Sequence, residues 1–110
     1  MNTAPVTSDC NQTAAAVVIG SSDWSSFVYF IAQGEYIKIG KANDVQKRMT
    51  HLQSSTPIEL QLIASIPTRQ PLKLEAALHK HLKQYRIGGE WFELPPAVLR
   101  TTLQILWQNV

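Results

Sequence analysis

Residues 27–40 read Phe27-Val28-Tyr29-Phe30-Ile31-Ala32-Gln33-Gly34-Glu35-Tyr36-Ile37-Lys38-Ile39-Gly40, and this stretch decides the fold. Two apolar, β-prone runs flank a short break containing glycine, which is the pattern of a β-hairpin. With Gln33 and Gly34 as the turn residues, Val28 faces Ile39 and Phe30 faces Ile37, so one side of the hairpin is wholly apolar. On the other side Tyr29 falls opposite Lys38, and Ile31 opposite Tyr36. Directly opposed side chains have Cβ atoms roughly 4.5–5.5 Å apart. An ammonium at that range favours the phenolate, so the pairing predicts a lowered Tyr29 pKa. A phenol tuned in this way can act as a general base.

Working outward, Asn43-Asp44-Val45-Gln46 reads as a helix N-terminus, with a helix running to about Ser54 and Pro57 closing the loop behind it. Ile58 to Ile66 reads as a third strand. Pro71 starts what reads as the longest helix, with Leu74, Ala77, Leu78, His81, Leu82 and Tyr85 spaced as one buried face and Gly88-Gly89 as its end. Trp91 to Leu94 is a short apolar segment, and Pro95-Pro96 opens a final helix expected to bury Val98, Leu99, Leu103, Leu106 and Trp107. The order ββαβαα predicts an α/β fold of the α+β kind. Its sheet is small, three-stranded and largely antiparallel, with helices flanking it.

Met1 to Ser26 is polar and aperiodic, so the expected organisation is a disordered leader over 1–26 and one domain over 27–110. Val17 to Ile19 could add a short edge strand. The 110 residues, 45% of them apolar, suffice for one core and not two. A lone cysteine, Cys10, excludes an internal disulfide and a cysteine-based zinc site. The run Ala14 to Ile19 is too short for a membrane span, which makes the cytoplasm the expected compartment. The leader carries Asp9 and Asp23 and no lysine or arginine, whereas residues 27–110 hold ten basic against six acidic residues. A basic domain behind an acidic leader is compatible with a polyanionic partner.

The run Val28-Tyr29, then Lys38-Ile39-Gly40-Lys41-Ala42-Asn43-Asp44-Val45-Gln46-Lys47-Arg48, resembles the GIY-YIG nuclease superfamily. Leu74-Glu75, Leu78-His79 and Glu90-Trp91-Phe92 are similar to a phage and bacterial branch that often has lysine in place of the second tyrosine. The resemblance spans Phe27 to Leu94. It implies a metal-dependent endonuclease that hydrolyses nucleic-acid phosphodiester bonds, DNA being the expected polymer, with one Mg2+ or Mn2+ ion. Tyr29 matches the first-motif tyrosine, a general base or water-orienting group, and Lys38 stands at the second-tyrosine position. Arg48 matches the arginine that contacts the scissile phosphate. Glu75 matches the single metal-binding glutamate, and Gly40 the second-motif glycine, where backbone or phosphate comes close. Two positions depart from the pattern: Phe27 stands where the first motif has glycine, and Lys38 removes a phenol.

These residue types suit the reaction, which needs an activated water, charge neutralisation at phosphorus and help for the departing alkoxide. A guanidinium matches two phosphate oxygens, and magnesium commonly takes one or two carboxylates while keeping several waters. His79, one helical turn after Glu75, is a candidate phosphate contact, leaving-group proton donor or hydrogen-bond partner of Glu75. Lys41 and His51 are candidate phosphate contacts, His81 reads as core, and Trp91 and Phe92 read as core packing rather than base stacking. Glu35, Glu59, Glu90 and Glu93 have no spacing that marks them as ligands. Two other readings stand beside the nuclease: a nucleic-acid-binding module with lapsed catalysis, suggested by Lys38, and an interaction domain dimerising on a sheet edge or the Trp107 helix. A homodimer or a targeting partner protein is compatible with so small a domain, whose selectivity would come from a partner, from the substrate's shape, or not at all.

Overall fold

The computed structural model describes residues 26–109. The hairpin is there: β1 (Phe27–Gln33) and β2 (Tyr36–Ala42) pair antiparallel. Its register is two residues away from the expected one. Gln33 pairs with Tyr36, which leaves Gly34 and Glu35 as the turn, and Tyr29 pairs with Gly40 while Lys38 pairs with Ile31. The reason is local: Gly34 adopts φ 61, and a two-residue hairpin turn needs a left-handed residue at its first central position. Glycine reaches that conformation without a Cβ penalty.

Helix α1 (Val45–Gln53) comes next, with Asp44 as its N-cap accepting a 3.0 Å hydrogen bond from the Lys47 amide. The Gln53 side chain then orders the adjoining loop, donating to the Thr56 and Ile58 carbonyls and accepting from the Leu60 amide. Strand β3 (Gln61–Pro67) starts three residues later than expected, and Ile58 stays exposed in that loop. It pairs antiparallel with β1.

Helix α2 (Pro71–His81) ends well before Gly88-Gly89. Leu82 leaves the helical region and a 3-10 turn covers Lys83–Tyr85, leading into two strands the sequence did not announce, β4 (Arg86–Gly88) and β5 (Trp91–Phe92). Gly88 and Gly89 belong to the hairpin between them, Gly89 with φ 52, and do not terminate a helix. Lys83 to Arg86 are fair helix formers, so no local preference stops the helix at His81. Pairing of the downstream chain stops it: β5 adds to β2, and the Tyr85 carbonyl accepts from the Glu93 amide. Helix α3 (Pro96–Gln108) begins at the expected proline and is the longest of the three described helices.

The sheet therefore has five antiparallel strands, not three, in the order β3-β1-β2-β5-β4. Both of its faces are covered. Val28, Phe30, Ile37, Ile39, Ile66 and Phe92 pack with Leu78 of α2 and Leu82 just beyond its end, and Val98, Leu99, Leu103 and Leu106 of α3 close the same side. The opposite face buries Tyr29 and Ile31 under Val45, Met49 and Leu52 of α1 and Leu60 of the loop after it. The Tyr29 side is thus a second core. Three expected core residues lie outside: Ala77 and His81 of α2 are exposed, and Trp107 is 49% exposed. Thr102 instead is the buried position of α3, its hydroxyl returned to the Val98 carbonyl at 2.8 Å. The expected disordered leader and the Val17–Ile19 strand fall outside the described residues. Ser26 alone is seen, its carbonyl bonded to the Thr68 amide.

Candidate functional site

The site grows from the pairing of Tyr29 with Gly40. Tyr29 is 2% exposed, and its ring lies across the neighbouring strand at the one position without a side chain. A Cβ placed on Gly40 would sit 2.5 Å from Tyr29 Oη and 2.7 Å from Glu90 Oε1. Phenol and carboxylate therefore meet over Gly40. Glu90 arrives there because it occupies the β4–β5 turn, where its carbonyl accepts the Ile39 amide at 2.9 Å.

Arg48 comes from α1, which covers the same face of the sheet as Tyr29. Glu75 comes from α2, on the opposite face. Strand β5 pairs with β2 only at Ile37 and Lys38, so Gly40 to Ala42 form a free edge past which charge from α2 reaches Tyr29. Glu75 Oε1 lies 3.8 Å from Lys41 Nζ, and Glu75 Oε2 is buried without a hydrogen-bond partner. A buried carboxylate oxygen with nothing to accept is costly unless something supplies positive charge or a donor.

The Tyr29 hydroxyl titrates in the opposite direction to the one the expected register gave. Its pKa is raised from the ordinary 10.0 to about 12, first by burial, then by the Glu90 carboxylate, with a smaller push from Glu75; the Arg48 guanidinium pulls the other way. Burial wins because the charged phenolate loses more hydration than one guanidinium restores. Lys38 does not act on the phenol as expected. Its ammonium forms a 3.3 Å ion pair with Glu90 Oε1 and lies 5.2 Å from the centre of the Trp91 ring. It is held between those two groups on the Tyr29 side of the sheet.

The remaining candidates divide. Lys41 is at the site through Glu75. His79 is not placed as a free phosphate contact: its Nε2 is 2.9 Å from the Ile39 carbonyl oxygen, and its ring meets Phe92 edge-on at 5.0 Å. It ties α2 to β2 and steadies the helix that carries Glu75. His51 is exposed on α1, three residues beyond Arg48. Phe92 is fully buried as core, as expected. Glu90, which sequence spacing did not single out, is the residue that tertiary structure adds. A hairpin reading of Gly88-Gly89 would have found it, since the residue after the glycines is then carried to the β2 edge.

The fold and site define a small antiparallel α+β domain in which a buried phenol and a carboxylate approach over a glycine, with an arginine and a second carboxylate in electrostatic reach of the phenol. The T5orf172 domain profile matches residues 26–107, and the chain belongs to that phage-associated family, which has links to nuclease-like and DNA-binding functions. No curated protein and no solved structure matches the chain. No helix among the described residues is long and apolar enough to cross a membrane.

Proposed function

We propose that this protein is a metal-dependent endonuclease of the GIY-YIG type, cutting phosphodiester bonds of nucleic acid, with DNA as the first substrate to try. The observation that carries the reading is the unsatisfied, buried Glu75 Oε2 in electrostatic reach of Tyr29, which in turn feels Arg48. An oxygen acceptor without a donor fits a hard divalent cation, and a single carboxylate suits Mg2+ or Mn2+ rather than zinc. No group of three histidine, cysteine, aspartate or glutamate residues that could hold a metal occurs among the described residues. Glu75 would hold the ion, with Lys41 moving from its 3.8 Å contact towards substrate phosphate. Bound there, the cation would supply charge neutralisation at the phosphoryl oxygens.

The chain's own groups do the rest. Arg48 offers its fork to two phosphate oxygens and stabilises charge that builds on them. Tyr29, held neutral by burial, orients the attacking water through its hydroxyl and is a poor phenolate base at neutral pH. Lys41 adds a mobile positive charge for the polymer backbone. The compartment in this reading is the cytoplasm, and the partner is the nucleic acid itself.

The two ion pairs favour a second reading. Lys38 with Glu90 and Lys41 with Glu75 already neutralise both carboxylates, as a binding module without catalysis would have them. One experiment separates the two. Single- and double-stranded oligonucleotides are incubated with the protein and its Glu75→Gln and Arg48→Ala variants in Mg2+, Mn2+ or EDTA. Metal-dependent cleavage lost in both variants supports the nuclease. Salt-sensitive binding without cleavage in any metal supports the module. Cleavage that persists in both variants comes from a contaminant and sinks the assignment.

A further inference from the structure

We propose that Glu90 is the terminal proton acceptor of this site, taking the proton that Tyr29 passes on when water attacks the phosphodiester. The inference rests on the nuclease reading above and deepens it. A hydrolytic centre must dispose of a proton from its water, and the groups near that water are few. Arg48 is permanently protonated. Glu75 is engaged with Lys41 and reserved for the cation. His79 has committed Nε2 to the Ile39 carbonyl. Tyr29 is a neutral phenol in the working pH range, so it accepts a proton only by giving up its own.

Glu90 is placed to receive that proton. Its Oε1 lies 2.7 Å, and Tyr29 Oη 2.5 Å, from the point a Gly40 Cβ would fill, and the carboxylate acts electrostatically on the phenol, so one bridging water can carry a proton between them. Its side chain is 37% exposed, which gives the proton a way out to solvent, whereas Tyr29 has almost none. Lys38 holds the carboxylate in position from β2. The charged groups facing the pair are therefore Lys38 beside Glu90, and Arg48 from α1 and Glu75 from α2 beside Tyr29.

The step balances. The water oxygen bonds to phosphorus and the bond from phosphorus to the departing sugar oxygen breaks, with solvent protonating that oxygen. One water proton moves to Tyr29 Oη while the phenolic proton moves to Glu90 Oε1, and the carboxylic acid returns it to bulk water. The second water proton stays on the new phosphate and ionises. Glu90 acts through Tyr29 and need not touch substrate.

Two measurements test it. In the full chain with metal, Glu90→Gln lowers kcat by about 100-fold or more with KM changed by less than about threefold, the loss expected for a general base. The variant also loses the acid limb of the pH–rate profile, and Glu90→Asp restores part of both. In EDTA, without any turnover, NMR of tyrosine labelled at Cζ tracks the Tyr29 titration, assigned with Tyr29→Phe. Glu90→Gln moves its midpoint down, while Tyr36 and Tyr85 stay where they were. An active wild type whose Glu90→Gln variant keeps rate and pH profile overturns this inference alone. An inactive wild type in every metal overturns the nuclease reading and this inference with it. A Tyr29 midpoint that ignores Glu90→Gln overturns the proximity on which the relay depends.

Discussion

Replacing Gly40 by alanine adds one methyl group where the structure has no room for it. The new carbon would lie 2.5 Å from Tyr29 Oη, 2.7 Å from Tyr29 Cζ and 2.7 Å from Glu90 Oε1. Non-bonded heavy atoms settle at about 3.5–4.0 Å, so roughly an ångström must be found on each side. The partly exposed Glu90 carboxylate can swing away. Tyr29 cannot: it is 2% exposed on a strand buried on both faces, and its ring is held under α1. Overpacking of a core costs about 1–3 kcal/mol, and a clash with a trapped ring belongs in the upper half of that range. For a domain of this size 1 kcal/mol moves Tm by about 4–8 °C, so a fall of about 8–24 °C is expected. Tyr29→Phe removes the closest atom and leaves Cζ, so the double variant should recover part of the loss. Contacting residues couple by about 0.5–3 kcal/mol in such cycles. Circular-dichroism melts of the wild type, both single variants and the double variant read the cycle. An unchanged Tm in Gly40→Ala, or strictly additive effects, would refute the close approach of phenol to strand.

Three further outcomes are expected. Phe92→Ala, at a fully buried site that also supports His79, should cost about 3–5 kcal/mol, read by urea denaturation. Asp44→Ala removes the α1 cap and should cost about 1 kcal/mol, with loss of protection at the Lys47 amide in hydrogen exchange. The raised Tyr29 pKa has a sign that can be checked. The folded phenol holds its proton to about 12 while the unfolded one ionises near 10.0, so this contribution is complete below pH 10 and fades as pH rises to 12. Urea midpoints between pH 9 and 12 should therefore fall more steeply for the wild type than for Tyr29→Phe; parallel curves would contradict the burial.

The hairpin over residues 27–40, the capped helix after Asp44 and the proline-led start of α3 were all legible in the chain, because alternation, caps and prolines act within a few residues. The same local reasoning misplaced the hairpin partner of Tyr29 by two residues, since Gln33-Gly34 and Gly34-Glu35 are both chemically possible turns and differ only in where glycine's positive φ is spent. It also carried α2 too far. Lys83 to Arg86 have nothing against helix, and only a free edge on β2 makes strand the better state for Trp91 and Phe92.

By itself the sequence determined which atoms are available: a tyrosine on the first strand, a glycine on the second, an arginine on α1 and a glutamate on α2. Tertiary structure decided what those atoms experience. Closing α1 over the first hairpin face turned an expected phenolate into a buried, high-pKa phenol, because desolvation depends on everything packed around the group and not on its partner alone. Folding the β4–β5 hairpin against β2 then drew Lys38 away to Glu90 and brought a second carboxylate over Gly40. That contact joins Gly40 to a residue fifty positions downstream, and no periodicity in a chain encodes a meeting set by which strand edge happens to be free.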